Sequence, residues 1–283
     1  MENEFLDKVE DNATVRSWSE KTQLEKGDSV IEGYISELWD FTRISAAQNE
    51  LQELKDIWPH LDDETKQLFY HNHGDLPYLL DVKVDKHLFR AIAQFWNPAY
   101  NCFTFGKVDL VPTMDEYTTL LRCPRIRVNK AYFRAASTPT LVKKLMNITG
   151  MTHPDVKRKV DVLALSIYGL VIFPKALRHI DEAVTDLFDR LGKQVTPVPI
   201  ILAETFISLS ECWSAGEGRF IGCVQLLLVW FHSHFWRVDK VPYRVFFKSY
   251  SPLKEAVATP RRDDISEERW MEILQSLREE NVE

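Results

Sequence analysis

The sequence predicts an all-α or α-dominated fold of about ten helices with one short β-hairpin near residues 102–111. Apolar residues recur at helical spacing through most of the chain, as in the stripe formed by Leu202, Phe206, Leu209 and Trp213. An α/β fold requires strand-like and helix-like segments to alternate along the chain, and here they do not. Glycine is scarce, with 10 in 283 residues against an average of ~7%. This scarcity weighs against nucleotide-binding folds, which build phosphate loops from glycine.

The densest local folding signals lie in one stretch of the first half of the chain. The residue before a proline avoids helical backbone, so a helix is expected to end before Asn97-Pro98, near Trp96. Residues 102–105 are β-branched, aromatic or apolar, a turn follows them, and residues 108–111 can run back alongside. These segments predict the hairpin.

The next helix is predicted to begin at Thr113, which is followed three residues later by Glu116. This is a capping box, in which the hydroxyl accepts from the third helical amide and the carboxylate accepts from the amide of the cap residue. The helix is expected to end at Pro124. Its apolar face comprises Met114, Tyr117, Leu120 and Leu121.

Three regions are predicted along the chain. Residues 1–45 form an acidic N-terminal arm, residues 46–258 a helical core, and residues 259–283 a charged C-terminal helix that ends as if truncated. A flexible helix connection is expected at Gly216-x-Gly218. Apart from the capped helix, core helices are predicted at residues 45–58, 62–70, 84–96, 181–191, 202–213 and 224–235, with starts at Thr138-Pro139 and His153-Pro154.

Two strongly apolar runs, residues 160–173 and 222–235, invite a membrane interpretation. Each is about fourteen residues long, whereas a helix needs ~20 residues to span a bilayer. Both are therefore predicted to be buried core helices, and no membrane partner is expected.

The four cysteines lack the close pairs typical of zinc sites or redox motifs. The acidic, polar opening of the chain does not resemble a secretory signal. Reduced thiols and an intracellular location, nuclear or cytoplasmic and not secreted, are the expectation.

A basic segment, residues 122–159, stands out in a chain of net charge −7. It contains a single acid, Asp155, and its aromatic residues Tyr132 and Phe133 are available for stacking on bases. A solvated surface, or pairing with the acidic ends of the chain within one molecule or in a homo-oligomer, would explain the same charges. The candidate nucleic-acid contacts are Arg122, Arg125, Arg127, Lys130, Arg134, Lys143, Lys144, Lys157, Arg158 and Lys159.

The acids of the helices offer one structural and one catalytic interpretation. Glu204 lies within an apolar stripe, and a buried carboxylate needs a partner, so an ion pair with Arg219 is predicted. Alternatively, Glu204, Asp181 and Asp161 converge and hold a metal ion for hydrolysis.

No metal ligand set is predicted. His232 and His234 point to opposite sides of a helix, and the nearby Cys212 and Cys223 are too far apart in sequence for a structural zinc site. A packed core histidine is the favoured interpretation. Ser251-x-x-Lys254 matches an acyl-transfer pattern whose partner motifs are missing.

A series of short segments stands out for its order along the chain: residues 96–97, 103–106, 112–113, 116–117, 163–165, 168–170, 173–174, 202–205, 218–223, 226–227, 230 and 234–235. Through these segments the chain resembles the plant mobile domain family over roughly residues 46–258. The resemblance implies a plant protein of transposable-element origin, in an uncharacterised branch of that family, without an established activity. Some members are called aminotransferase-like, but no Schiff-base lysine, phosphate cup or acid for the pyridine nitrogen can be identified, so no cofactor is expected.

These observations favour a non-enzymatic interaction domain with an unidentified protein partner, and with nucleic-acid contact through residues 122–159. A metal-dependent hydrolase or nuclease remnant is the alternative. No catalytic constellation supports assignment as an enzyme.

Overall fold

The fold is dominated by helices, as predicted. The computed structural model describes residues 43–46, 51–123, 156–174, 196–234, 251–259, 265–278 and 281–282. Within these residues the α-helices are α1 (Gln52–Ile57), α2 (Asp63–His73), α3 (Lys86–Gln94), α4 (Met114–Leu121), α5 (Val156–Ile167), α6 (Val198–Ala215), α7 (Val224–His234), α8 (Pro252–Ala258) and α9 (Glu267–Gln275). Short 3-10 turns at Trp58–His60 and Leu76–Leu80 and a π turn at Tyr168–Ile172 complete the helical part. The helices predicted from Thr138 and over residues 181–191 lie outside the described residues.

The predicted hairpin is confirmed, and it gains a third strand. Strands β3 (Cys102–Phe105) and β4 (Val108–Leu110) pair antiparallel across a turn in which Gly106 has a φ of 55°. Strand β2 (Trp96–Asn97) pairs with β3 on its other side. The helix before it therefore ends at Gln94, because Trp96 and Asn97 are extended ahead of Pro98.

Aromatic side chains join this small sheet to the helices. Ring centroids are 5.4 Å apart for Trp96 and Phe206 of α6, and 5.8 Å apart for Phe103 and Trp230 of α7. The Trp96 indole also donates to Ser210 Oγ at 3.0 Å. A sheet this small needs a hydrophobic face or a helix to pack against, and these contacts supply both.

The capping box of α4 is confirmed. The amide of Thr113 donates to Glu116 Oε2 at 2.7 Å, and the amide of Glu116 donates to Thr113 Oγ1 at 3.3 Å. The helix ends earlier than predicted, because Arg122 caps it with a left-handed φ of 49°. Arg122 and Cys123 thus lie between the end of α4 and Pro124.

A second sheet was not predicted. Strand β1 (Arg43–Ala46) pairs in parallel with β5 (Glu217–Phe220). The expected helix over residues 45–58 is therefore wrong at its start, and the expected flexible connection at Gly216-x-Gly218 is a helix end followed by a strand. Long-range pairing between distant segments overrides the local pattern here.

The C-terminal helix α9 packs against α3 and joins the same core. Its Trp270, Met271 and Leu274 are buried. The amide of Lys107, in the β3–β4 turn, donates to the carbonyl of Leu277 at 3.2 Å. The charged C-terminal helix predicted within residues 259–283 is thus present as α9 (Glu267–Gln275).

Helices α5 and α7 bury most of their described side chains, as the apolar runs predicted. One described helix, α6, is long and apolar enough to cross a bilayer by length and composition, and 39% of it is buried in the fold. A core helix meets the same two criteria, and α6 packs against α4, β2 and β5.

Candidate functional site

The structure describes the two ends of the basic segment. Arg122 directly follows α4, and Lys157, Arg158 and Lys159 lie in the first turn of α5. Both ends therefore belong to helices of the folded core. The remaining candidates lie outside the described residues: Arg125, Arg127, Lys130, Arg134, Lys143 and Lys144.

Arg122 forms an ion pair within the protein. Its Nη1 lies 3.7 Å from Oδ2 of Asp75, and its side chain is 45% exposed. Asp75 is only 5% exposed. Part of the positive charge of Arg122 is therefore neutralised inside the fold.

Asp75 is the centre of a polar cluster that we call the Asp75 cluster: Asp75, Arg122, Ser251 and Lys254. Ser251 Oγ donates to Asp75 Oδ2 at 2.5 Å and accepts from the amide of Lys254 at 3.3 Å, which caps α8. Burial raises the pKa of Asp75, against the hydrogen bond from Ser251 and the positive charges of Arg122 and Lys254. The cluster thus joins the end of α4 and the start of α8 to the turn that follows α2.

A close backbone approach holds this junction together. The amide of Asp75 donates to the carbonyl of Leu121 at 2.8 Å. The preceding Gly74 has a φ of +65°, and a Cβ built there would lie 2.2 Å from the Leu121 carbonyl oxygen. Glycine is required at this position for both reasons.

The Ser-x-x-Lys pattern does not build an acyl-transfer site here. Ser251 contacts the backbone amide of Lys254, whose side chain is exposed, and its hydroxyl proton is directed at Asp75. The serine acts as a helix cap and as a donor to a buried acid.

Glu116 forms a second polar centre at the start of α4. Its Oε1 lies 2.7 Å from Nε2 of His234 at the end of α7, while Oε2 accepts from Thr113. Burial alone would raise the pKa of Glu116, but the hydrogen bonds from His234 and Thr113 outweigh it and lower the pKa to about 2.

The histidines do not form a metal site in the part of the chain that is described. His234 binds Glu116, and His232 is buried beside Phe231. No group of three or more His, Cys, Asp or Glu side chains that could hold a metal ion occurs among the described residues. The packed histidine interpretation fits His232.

Glu204 and Arg219 are not brought together. Both side chains are exposed, Glu204 on α6 and Arg219 on β5, and the described residues contain no ion pair between them. The buried face of α6 runs instead through Ile201, Thr205 and Ser208. Because Glu204 faces away from the core, burial does not demand a partner for it. Asp161 is half-buried, and Asp181 lies outside the described residues.

An open cleft lies between β1, α3 and α9. It has a volume of about 460 Å³ and is lined by residues of both charges. Arg90 of α3 and Glu267 of α9 lie 3.7 Å apart at its wall. Sequence reasoning missed it because three distant segments contribute. The lining residues are Arg43, Ile44, Ser45, Arg90, Glu267, Glu268 and Met271.

Sequence comparison connects the chain to one family. It matches the family described as Domain of unknown function (DUF7745) over residues 54–160 and 141–283, which together span most of the chain. No curated protein and no solved structure matches it. The resemblance to plant mobile domain proteins stays a prediction.

Proposed function

The chain belongs to the DUF7745 family, and we propose that it is a non-enzymatic interaction domain that contacts nucleic acid through residues 122–159. One observation carries the proposal. The segment holds ten positive charges and one acid in a chain of net charge −7, and it begins and ends on helices of the core. A charged segment tethered at both ends loses less conformational freedom on binding than a free tail does.

The chemistry of the segment fits a phosphate backbone. Each Lys or Arg that neutralises a phosphate releases a condensed counterion, which gives strong binding at low salt and weak binding at high salt. Tyr132 and Phe133 lie among these charges and offer ring faces on which bases of a single strand can stack. A single-stranded ligand is therefore favoured over a duplex.

Arg122 is expected to contribute less than its neighbours in sequence. Its ion pair with Asp75 is already formed in the free protein, so contact with a phosphate would require that pair to be broken. The residues that carry the proposal are those from Arg125 to Lys159.

The wider relationship is also a proposal. The resemblance to plant mobile domain proteins supports an origin in a plant transposable element. For a helical protein of that origin, we infer a binding role with a protein partner as well as nucleic acid. A metal-dependent hydrolase is the alternative, but no observation among the described residues favours it.

Binding to labelled oligonucleotides tests the proposal. The full chain is titrated into single- and double-stranded DNA and RNA at low and at physiological salt. We expect micromolar binding at low salt, and loss of binding when Arg125, Arg127, Lys130 and Arg134 are all changed to Glu.

A matched control separates the segment from total charge. Changing the exposed Lys86, Lys107, Arg219 and Arg278 to Glu alters the net charge by the same amount outside residues 122–159. This variant is expected to bind nearly as well as the unmodified protein. Equal loss in both variants, or no binding by folded protein, would remove the nucleic-acid proposal.

A further inference from the structure

A second pattern overlaps the cap of α8. Ser251 is followed by Pro252 and, at the third position, by Lys254; this is the Ser/Thr-Pro-x-Lys/Arg pattern read by proline-directed kinases. Residues 259–262, Thr-Pro-Arg-Arg, repeat it directly after α8. From the composition, roughly one such match is expected in five chains of this size, so two that bracket one helix are a specific signal.

We propose that Ser251 is a phosphorylation site for a proline-directed kinase, and that phosphorylation releases α8 from Asp75. The inference does not depend on nucleic-acid binding. It rests on the position of one hydroxyl, which is at once the kinase acceptor, the cap of α8 and the donor to a buried carboxylate.

The contact between Ser251 and Asp75 has no room for a phosphate. The two oxygens are 2.5 Å apart, and Asp75 is almost fully buried. Phosphorylation removes the hydroxyl proton that Asp75 accepts and adds about −1.5 to −2 charges at neutral pH. Two anions in contact at a buried position repel each other strongly, so Ser251 has to leave Asp75.

Two neighbouring positive side chains can bind the phosphate once it has left Asp75. Arg122 is 45% exposed and 3.7 Å from Asp75, and Lys254 is exposed one turn along α8. A guanidinium binds phosphate with paired hydrogen bonds. After phosphorylation, Asp75 and the phosphate compete for Arg122. The contact of Asp75 with Arg122 is then weakened, and its contact with Ser251 is lost.

The kinase must reach Ser251 through local opening. Pro252 and Leu253 are buried in the folded protein, and kinases bind their acceptor segment extended. Helix α8 has seven residues, well below the ~12–15 at which isolated helices become stable. It depends on its packing against α4 and the 76–80 turn and on the hydrogen bond from Ser251 to Asp75, so local opening requires the loss of these few contacts.

The covalent step is an ordinary phosphoryl transfer from ATP. The bond from the γ-phosphorus to the ADP oxygen breaks, a bond from the same phosphorus to Ser251 Oγ forms, and the hydroxyl proton passes to the base of the kinase. ADP is the leaving group, and no other reactant is needed.

The test uses the full chain with a purified cyclin-dependent kinase and ATP, and locates phosphate by tandem mass spectrometry. We expect modification at Ser251, no signal there in Ser251→Ala, and at least about tenfold slower modification in Lys254→Ala, which leaves the buried Pro252 and Leu253 in place. After modification, amide hydrogen exchange over residues 253–258 is expected to accelerate about tenfold or more.

Three results would overturn the proposal. The first is a synthetic peptide of residues 247–258 that is phosphorylated while the folded chain is not. The second is an equal rate for the unmodified chain and Lys254→Ala. The third, unchanged hydrogen exchange over residues 253–258 after stoichiometric modification, would refute the release of α8.

Discussion

The Glu116 carboxylate should stabilise the fold by an amount that depends on pH. The side chain of Glu116 is 23% exposed and that of His234 is 17% exposed, so solvent screens their contact only in part. A carboxyl whose pKa falls from 4.5 to about 2 on folding contributes about 3 kcal/mol to the free energy of unfolding at neutral pH.

The sign follows from the lowered pKa. The stabilisation is fully present above the unfolded pKa of 4.5 and is lost as the pH falls towards 2. About 2 kcal/mol of it should be gone at pH 3. Glu116→Gln keeps the shape and one acceptor oxygen but removes the charge, so it should cost about 2–3 kcal/mol at pH 7 and about 2 kcal/mol less at pH 3.

Urea unfolding followed by tryptophan fluorescence at pH 7, 5, 4 and 3 measures both values. Glu64→Gln is the matched control, because Glu64 is an exposed carboxylate in the first turn of another helix, α2; it should change the free energy by less than about 0.5 kcal/mol at each pH. A cost for Glu116→Gln that is the same at pH 7 and pH 3 would refute the reasoning.

Two further predictions test the packing. Gly74→Ala should lower the free energy of unfolding in urea by about 3 kcal/mol or more, because its Cβ would lie 2.2 Å from a backbone oxygen and the backbone would be strained as well. Gly216→Ala has a similar φ and nothing within 4 Å, so it should lower the free energy of unfolding by only about 1–2 kcal/mol. Equal losses in the two variants would contradict the steric argument. Burial raises the pKa of Cys102, Cys123 and Cys223 to about 12, so a thiol reagent at pH 8 should label them slowly in native protein and rapidly in urea; rapid labelling of all three in the native protein would show that the core is open.

Local signals in the sequence were sufficient for local structure. Thr113 and Glu116 predicted the start of α4 because a capping box is a contact between residues three apart. The β3–β4 hairpin was predicted for the same reason, since its partners are neighbours in sequence. Asn97-Pro98 predicts the end of the preceding helix, and the same preference of the residue before a proline for extended backbone also favours the β2 strand.

Contacts between residues that are far apart along the chain could not be predicted from the sequence. Asp75, Arg122 and Ser251 lie far apart along the chain, and nothing in their spacing indicates that they meet. The exposure of Glu204 depends on which side of α6 faces the core. Thr205 and Ser208 are polar but buried on that side, so the apolar residues alone do not identify the buried face. The pairing of β1 with β5 was missed for the same physical reason, because each strand is too short to be recognised alone.

The salt dependence of nucleic-acid binding tests the central proposal most directly. For the full chain on single-stranded DNA, the logarithm of the binding constant should fall linearly with the logarithm of the salt concentration, by about 0.7 per phosphate contact. Changing Arg125, Arg127, Lys130 and Arg134 to Glu should flatten that slope and abolish binding at physiological salt, while the four-residue control outside the segment leaves the slope unchanged. A slope near zero, or the same slope in all three proteins, would contradict the proposal.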